Sequence, residues 1–169
     1  MEKDNMSFRK AFLLMIPVIA FLALYTAINL MLGLKEVWIG FLLLWYWGEK
    51  NASLEALLKT IFPGAVIGVA VAYILHTLPD LIGTSGLIIS LIIVLFIVMC
   101  TFAGRFKMYV NGATFLYLTV ISIPMIAEKA NYFEYLMVIV VGCVYLGLSS
   151  WLMKLISKPK NDKIESLDS

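Results

Sequence analysis

The residues able to do chemistry in this sequence are few, and most are amides and hydroxyls set inside apolar runs. Asn111 and Thr114 lie three apart in Val110-Asn111-Gly112-Ala113-Thr114-Phe115, and Thr26 and Asn29 lie three apart in an earlier run. Residues three apart share one face of a helix. An amide at membrane depth must pair with protein or with water. It therefore either ties two helices together, at ~1–2 kcal/mol or less per bond, or lines a cavity that admits a polar solute. The sequence leaves both readings of Asn29, Asn111 and Thr114 open.

A second feature is Phe62-Pro63-Gly64-Ala65-Val66-Ile67-Gly68. Proline removes a backbone donor and kinks a helix. In a membrane the freed carbonyl must find a partner in protein or in a water-filled cavity. Gly64, Gly68 and Ala72 then recur every fourth residue, a small-residue face that lets another helix approach closely. One reading is a tight helix crossing. The other is a broken helix in which Pro63 and Gly64 line a cavity, with Gly112 as their counterpart beside Asn111.

Other chemistry finds little support. His76 is the single histidine, so no second histidine completes a metal site, and it is read as an interfacial hydrogen-bonding residue. Cys100 and Cys143 both sit in apolar segments, which implies buried packing and no disulfide framework. There is no HExxH, GxSxG or Gly-rich phosphate loop, so hydrolase, kinase and zinc-peptidase readings fall away. No charged residue lies near the centre of an apolar run, which argues against proton- or sodium-coupled transport through a buried acid. Passage of a neutral solute stays possible. The reading is of a protein that is not an enzyme and carries no cofactor.

These residues must be held by apolar helices. The chain is 62% hydrophobic and 14% charged, against ~45–50% and ~25% for an ordinary soluble domain. Its 169 residues are one domain by length. The fold class expected is all-α, a polytopic membrane bundle of six transmembrane helices over about 11–34, 37–48, 54–75, 87–103, 108–126 and 132–156. Residues 158–169 form a polar tail. The first run is longer than the ~7–15 apolar residues of a secretion signal, so it is read as an uncleaved span. The second is short: 12 residues rise only ~18 Å of a ~30 Å core.

Charge decides whether that short segment crosses. With six spans, eleven of the thirteen basic residues fall on one side, and only Lys35 and Lys129 fall on the other. Without the crossing the bias weakens and reverses. The positive-inside rule therefore places both termini in the cytoplasm. The net charge of +2 suggests no nucleic-acid partner, and the basic run Lys154, Lys158, Lys160 and Lys163 suits anionic headgroups. Aromatics mark the interfaces: Trp38 opens the second span, Trp45, Tyr46 and Trp47 end it, and Tyr132, Phe133 and Tyr135 open the sixth. Glu36, Asp80, Glu128 and Glu134 make the outer loops net negative. They read either as solvated loop acids or as a means of enriching cations at an outer mouth.

Pro63-Gly64-Ala65 lines up with Asn111-Gly112-Ala113, each after a span ending in Gly plus charge, which suggests an internal repeat of a two-helix unit. Val37-Trp38-Ile39-Gly40-Phe41 through Trp47-Gly48, then Pro63-Gly64-Ala65, then Asn111-Gly112-Ala113-Thr114, resembles the bacterial inner-membrane family called domain of unknown function 1097. The resemblance spans most of the chain and implies six helices in a bacterial inner membrane, with no established activity. The function expected is an oligomeric channel or facilitator for a small uncharged solute. The alternative is a non-transporting membrane subunit or assembly factor that packs through Gly64, Gly68 and Ala72.

Overall fold

The computed structural model describes residues 8–156, so the tail expected at 158–169 lies outside the described residues. Regular structure among the described residues is entirely helical. Long apolar runs leave the backbone no water to bond, and a helix satisfies its own amides. The helices are α1 (Phe8–Met31), α2 (Trp38–Glu49), α3 (Leu54–Ile82), α4 (Thr84–Phe102), α5 (Gly112–Ile121), the single turn α6 (Pro124–Ala127), and α7 (Tyr132–Ile156). Three helices are long and apolar enough to cross a membrane: Leu54–Ile82, Thr84–Phe102 and Tyr132–Leu155. In α1 the shorter stretch Met15–Met31 is apolar.

Local chemistry explains where these helices start and stop. Helix α3 runs past Leu75, through His76 and Pro79, and ends at Gly83, whose φ of 62° turns the chain into α4. Polar residues near a helix end read as loop in the sequence, yet they are compatible with an exposed last turn. The segment expected at 108–126 holds a shorter helix, Gly112–Ile121. Asn111 caps its start. Ile123 is extended, as a residue before proline prefers, and this ends the helix ahead of Pro124. Asn131 stands just ahead of helix α7, and its Oδ1 accepts from the Glu134 N–H. The Glu134 carboxylate accepts from the backbone N–H groups of Lys35 and Glu36, which clamps the α1–α2 turn onto the start of α7.

Helix α3 is the centre of the bundle, packed along α4, α5 and α7. The two short helices are held inside by their neighbours. α5 buries Ala113, Thr114, Tyr117, Leu118 and Ile121. α2 buries Ile39, Gly40, Leu43, Tyr46 and Trp47. The Tyr117 hydroxyl donates to the Ile39 carbonyl at 2.9 Å, which joins α5 to α2. Helix α4 shows the reverse of a water-soluble helix: Leu87, Ile88, Leu91, Ile92, Leu95 and Phe96 are all exposed. An apolar outer face of this kind is compatible with lipid as its solvent. Cys100 and Cys143 are buried free thiols, as their apolar settings suggest.

Candidate functional site: the α3–α5 crossing

Most of the residues singled out in the sequence meet at one place. Asn111 has extended backbone angles, φ −150° and ψ −173°, and stands at the N-cap of α5. Its Oδ1 accepts from the Ala113 N–H at 2.9 Å. Its own N–H donates to Thr114 Oγ1 at 3.2 Å, and that hydroxyl donates to the Tyr109 carbonyl at 2.8 Å. This reciprocal arrangement satisfies orphan donors at the helix start.

The Asn111 amide nitrogen does the longer-range work. Nδ2 donates to the Thr60 carbonyl on α3 at 2.8 Å, and also to the carbonyls of Met108 at 3.2 Å and Lys107 at 3.3 Å. Thr60 lies in a π-helical turn, Leu57–Ile61, directly ahead of Pro63. Widened pitch and a missing proline N–H both disturb the helical ladder here. The Asn111 side chain supplies a donor to that turn. The π-turn in one helix and the amide at the start of another thus answer each other.

The glycines make room for this contact. A Cβ at Gly64 would stand 2.5 Å from Asn111 Oδ1 and 2.6 Å from Nδ2. A Cβ at Gly68 would stand 2.6 Å from the Thr114 carbonyl oxygen and 2.8 Å from Tyr117 Cβ. The first neighbour is a side chain that can shift. The second includes backbone that cannot. Ala72 continues the same face and is buried. Gly112 faces elsewhere, where a Cβ would fall 2.6 Å from the Tyr46 hydroxyl.

Asn29 is not part of this cluster. It is fully buried, yet its Nδ2 donates within its own helix to the Tyr25 carbonyl at 2.9 Å. Its Oδ1 has no partner among the described residues. Thr26 likewise bonds back to the Leu22 carbonyl. The α1 pair therefore does not meet the α5 pair.

A small cleft lies beyond the crossing. A cleft of about 200 Å³ beside Ala72 is lined by His76, Ser122 and Glu128. The Ser122 hydroxyl is buried without a partner among the described residues. No cluster of three or more metal-ligating side chains occurs among the described residues. Sequence reasoning missed two anchors, Glu134 and Tyr145. The spacing Asn131-x-x-Glu134 resembles a capping-box signature and offered a clue to the first. Nothing local marked Tyr145, whose hydroxyl donates to the Phe21 carbonyl at 2.8 Å.

No protein-family model matches the chain, and no curated protein and no solved structure matches it either.

Proposed function

We propose that this chain is a six-span protein of a bacterial inner membrane, with both termini cytoplasmic, and that it serves as a non-transporting membrane subunit or assembly factor within an oligomer. The observation that carries the second part is the Asn111 amide. Its oxygen and nitrogen are both engaged by backbone, one within α5 and the other across to α3. A pore-lining amide keeps a donor or acceptor for the passing solute, and this one holds two helices together. Gly64 and Gly68 are covered by α5 of the same chain, so a partner meets another surface.

The test is solute entry into proteoliposomes, with urea, ammonia, glycerol and small acids as probes. Rates equal to protein-free vesicles are expected for all four. Entry of any one well above that background, abolished by Asn111→Leu, overturns the scaffold reading.

A facilitator for a small uncharged solute is the second reading. The cleft with His76, Ser122 and Glu128 favours it, because a partnerless buried hydroxyl beside polar neighbours is where a small polar molecule would bind. Topology has its own test. The sequon Asn51-Ala52-Ser53 should stay unmodified in a eukaryotic host if the α2–α3 turn is cytoplasmic. Glycosylation at Asn51 would reverse the orientation. The resemblance to domain of unknown function 1097 implies six helices, and membership of that family is part of this proposal.

A further inference from the structure

The chain between α4 and α5 carries its side chains outward. Every residue from Thr101 to Tyr109 is exposed. Four of these side chains are large and apolar or aromatic: Phe102 at 89% exposure, Phe106 at 63%, Met108 and Tyr109. Arg105 and Lys107 are interleaved with them. Among the described residues neither cation forms an ion pair. The other turns differ. The α1–α2 turn is closed by the Glu134 carboxylate, and in the α2–α3 turn Lys50 lies over the Tyr46 ring, 5.4 Å from its centroid. The α4–α5 turn leaves both its cations and its rings outside.

The segment is nevertheless a built turn. The Arg105 N–H donates to the Cys100 carbonyl at 3.0 Å, and the Tyr109 and Val110 N–H groups both donate to the Phe106 carbonyl at 2.8 Å. At its far end the Lys107, Met108 and Tyr109 carbonyls accept from the Asn111 and Thr114 side chains. Gly104 has a φ of 62° and Phe106 one of 58°. A bulky residue in the left-handed region is strained, and such strain persists where the surrounding structure fixes it. Lys107 folds back over Gly104, where a Cβ would stand 3.4 Å from its Cε and 3.9 Å from its Nζ. Its ammonium is thus held against the turn that carries Arg105. Rings at the end of an apolar helix suit the headgroup level of a bilayer, and cations there suit anionic headgroups. A purely apolar partner would bury both cations unpaired. An acidic partner would leave Phe102, Phe106 and Met108 without an apolar contact. A lipid surface offers both chemistries side by side.

We propose that the α4–α5 turn docks into the inner leaflet and binds anionic phospholipid headgroups, with Arg105 and Lys107 at the phosphates and Phe106, Met108 and Tyr109 among the upper acyl carbons. The proposal rests on the membrane reading above. It gives two unpaired cations their counterions and the exposed rings an apolar medium. It also gives the fixed shape of the turn a use, since a preformed turn presents these side chains without an ordering cost.

The experiment is native mass spectrometry of the full chain in detergent, titrated with phosphatidylglycerol or phosphatidylcholine of matched acyl chains. Wild type is expected to retain phosphatidylglycerol in preference. Arg105→Gln with Lys107→Gln should lower that preference by roughly five-fold per cation. Depth is read separately, from a fluorophore on Met108→Cys in phosphatidylglycerol vesicles. Lipids carrying a nitroxide on the headgroup or a shallow acyl carbon should quench it. Cys100 and Cys143 are buried, and the wild-type chain sets the labelling background. Equal retention of the two lipids by wild type overturns the proposal, as does a double variant with its preference intact. A fluorophore that no lipid nitroxide quenches overturns it too. If that fluorophore is shielded from water and Phe106→Ser lowers the number of protomers, the turn seats a second copy and the lipid is excluded. Should the double variant fail to fold, the nitroxide measurement decides alone. Carbonate extraction of membranes separates the two levels of failure. A chain released by carbonate refutes the membrane reading itself. A chain retained without phosphatidylglycerol preference refutes only the lipid site.

Discussion

At the α3–α5 crossing, two helices approach until Gly68 meets the backbone of Thr114, and an amide bridges the remaining polar gap. At the α1–α2 groove, two equally apolar helices stand apart around about 780 Å³ of space. Hydrophobicity does not distinguish the two pairs. The difference lies in side-chain size and in where polar groups bond. Gly64, Gly68 and Ala72 clear a path on α3, whereas Val18, Phe21 and Leu22 present bulk along α1. Asn111 bonds across to α3, whereas Asn29 and Thr26 bond back into α1. Between apolar helices in lipid there is no hydrophobic force to close a gap, so packing and interhelical hydrogen bonds decide.

The comparison can be broken by substitution, and Gly68→Leu should have the largest effect. Its side chain has backbone in its way, and overpacking of that kind costs about 3 kcal/mol. Thermal unfolding in detergent should show a pronounced fall in midpoint. A wild-type melting curve for this variant would mean that α3 and α5 do not cross closely.

Next in size is Asn111→Leu. It removes a helix cap, worth ~1 kcal/mol, and an interhelical bond, worth ~1 kcal/mol. A loss of about 2 kcal/mol is expected, with solute entry into vesicles unchanged. Unaltered stability together with altered flux would turn the crossing into a pore wall.

Gly64→Ala should cost less, about 1 kcal/mol, because the atoms in the way belong to the movable Asn111 side chain. Combined with Asn111→Leu it should cost less than the sum, since the contact it disturbs is already gone. Strict additivity would show that the two residues do not touch.

The smallest effect belongs to the other region. Val18 is 55% exposed beside the groove, and Val18→Ala should change stability by no more than ~0.5 kcal/mol. A cost comparable with that of Gly68→Leu would mean that α1 packs against α2 along its whole length.

The sequence carried more of this than hydropathy alone suggests. The last helix, Tyr132–Ile156, matches the apolar run between Asn131 and the basic tail because both ends carry polar signals. The fifth segment was harder. Hydropathy stays high from Met108 to Ile126, so its average hides the cap at Asn111 and the stop before Pro124. The cap is legible as Asn followed three residues later by Thr, but the apolar residues on both sides make Asn111 read as a residue inside a span. By type Glu134 reads as an outer loop acid, although its capping position points it back at the chain. By type Tyr135 reads as an interfacial ring, yet it is buried with its ring edge-on to Trp38 at 5.7 Å.

Composition and periodicity by themselves determined that this chain is helical and apolar, and which small and polar residues were out of place in it. That follows because helix formation and lipid compatibility are properties of single segments. Tertiary structure alone decided which segment each odd residue serves. Asn111 and Asn29 are the same residue type in similar runs, and one joins two helices while the other bonds only to its own turn. The reason is that a side-chain amide takes the nearest free carbonyl. Where that carbonyl lies depends on which helix the small residues of α3 allowed to come close.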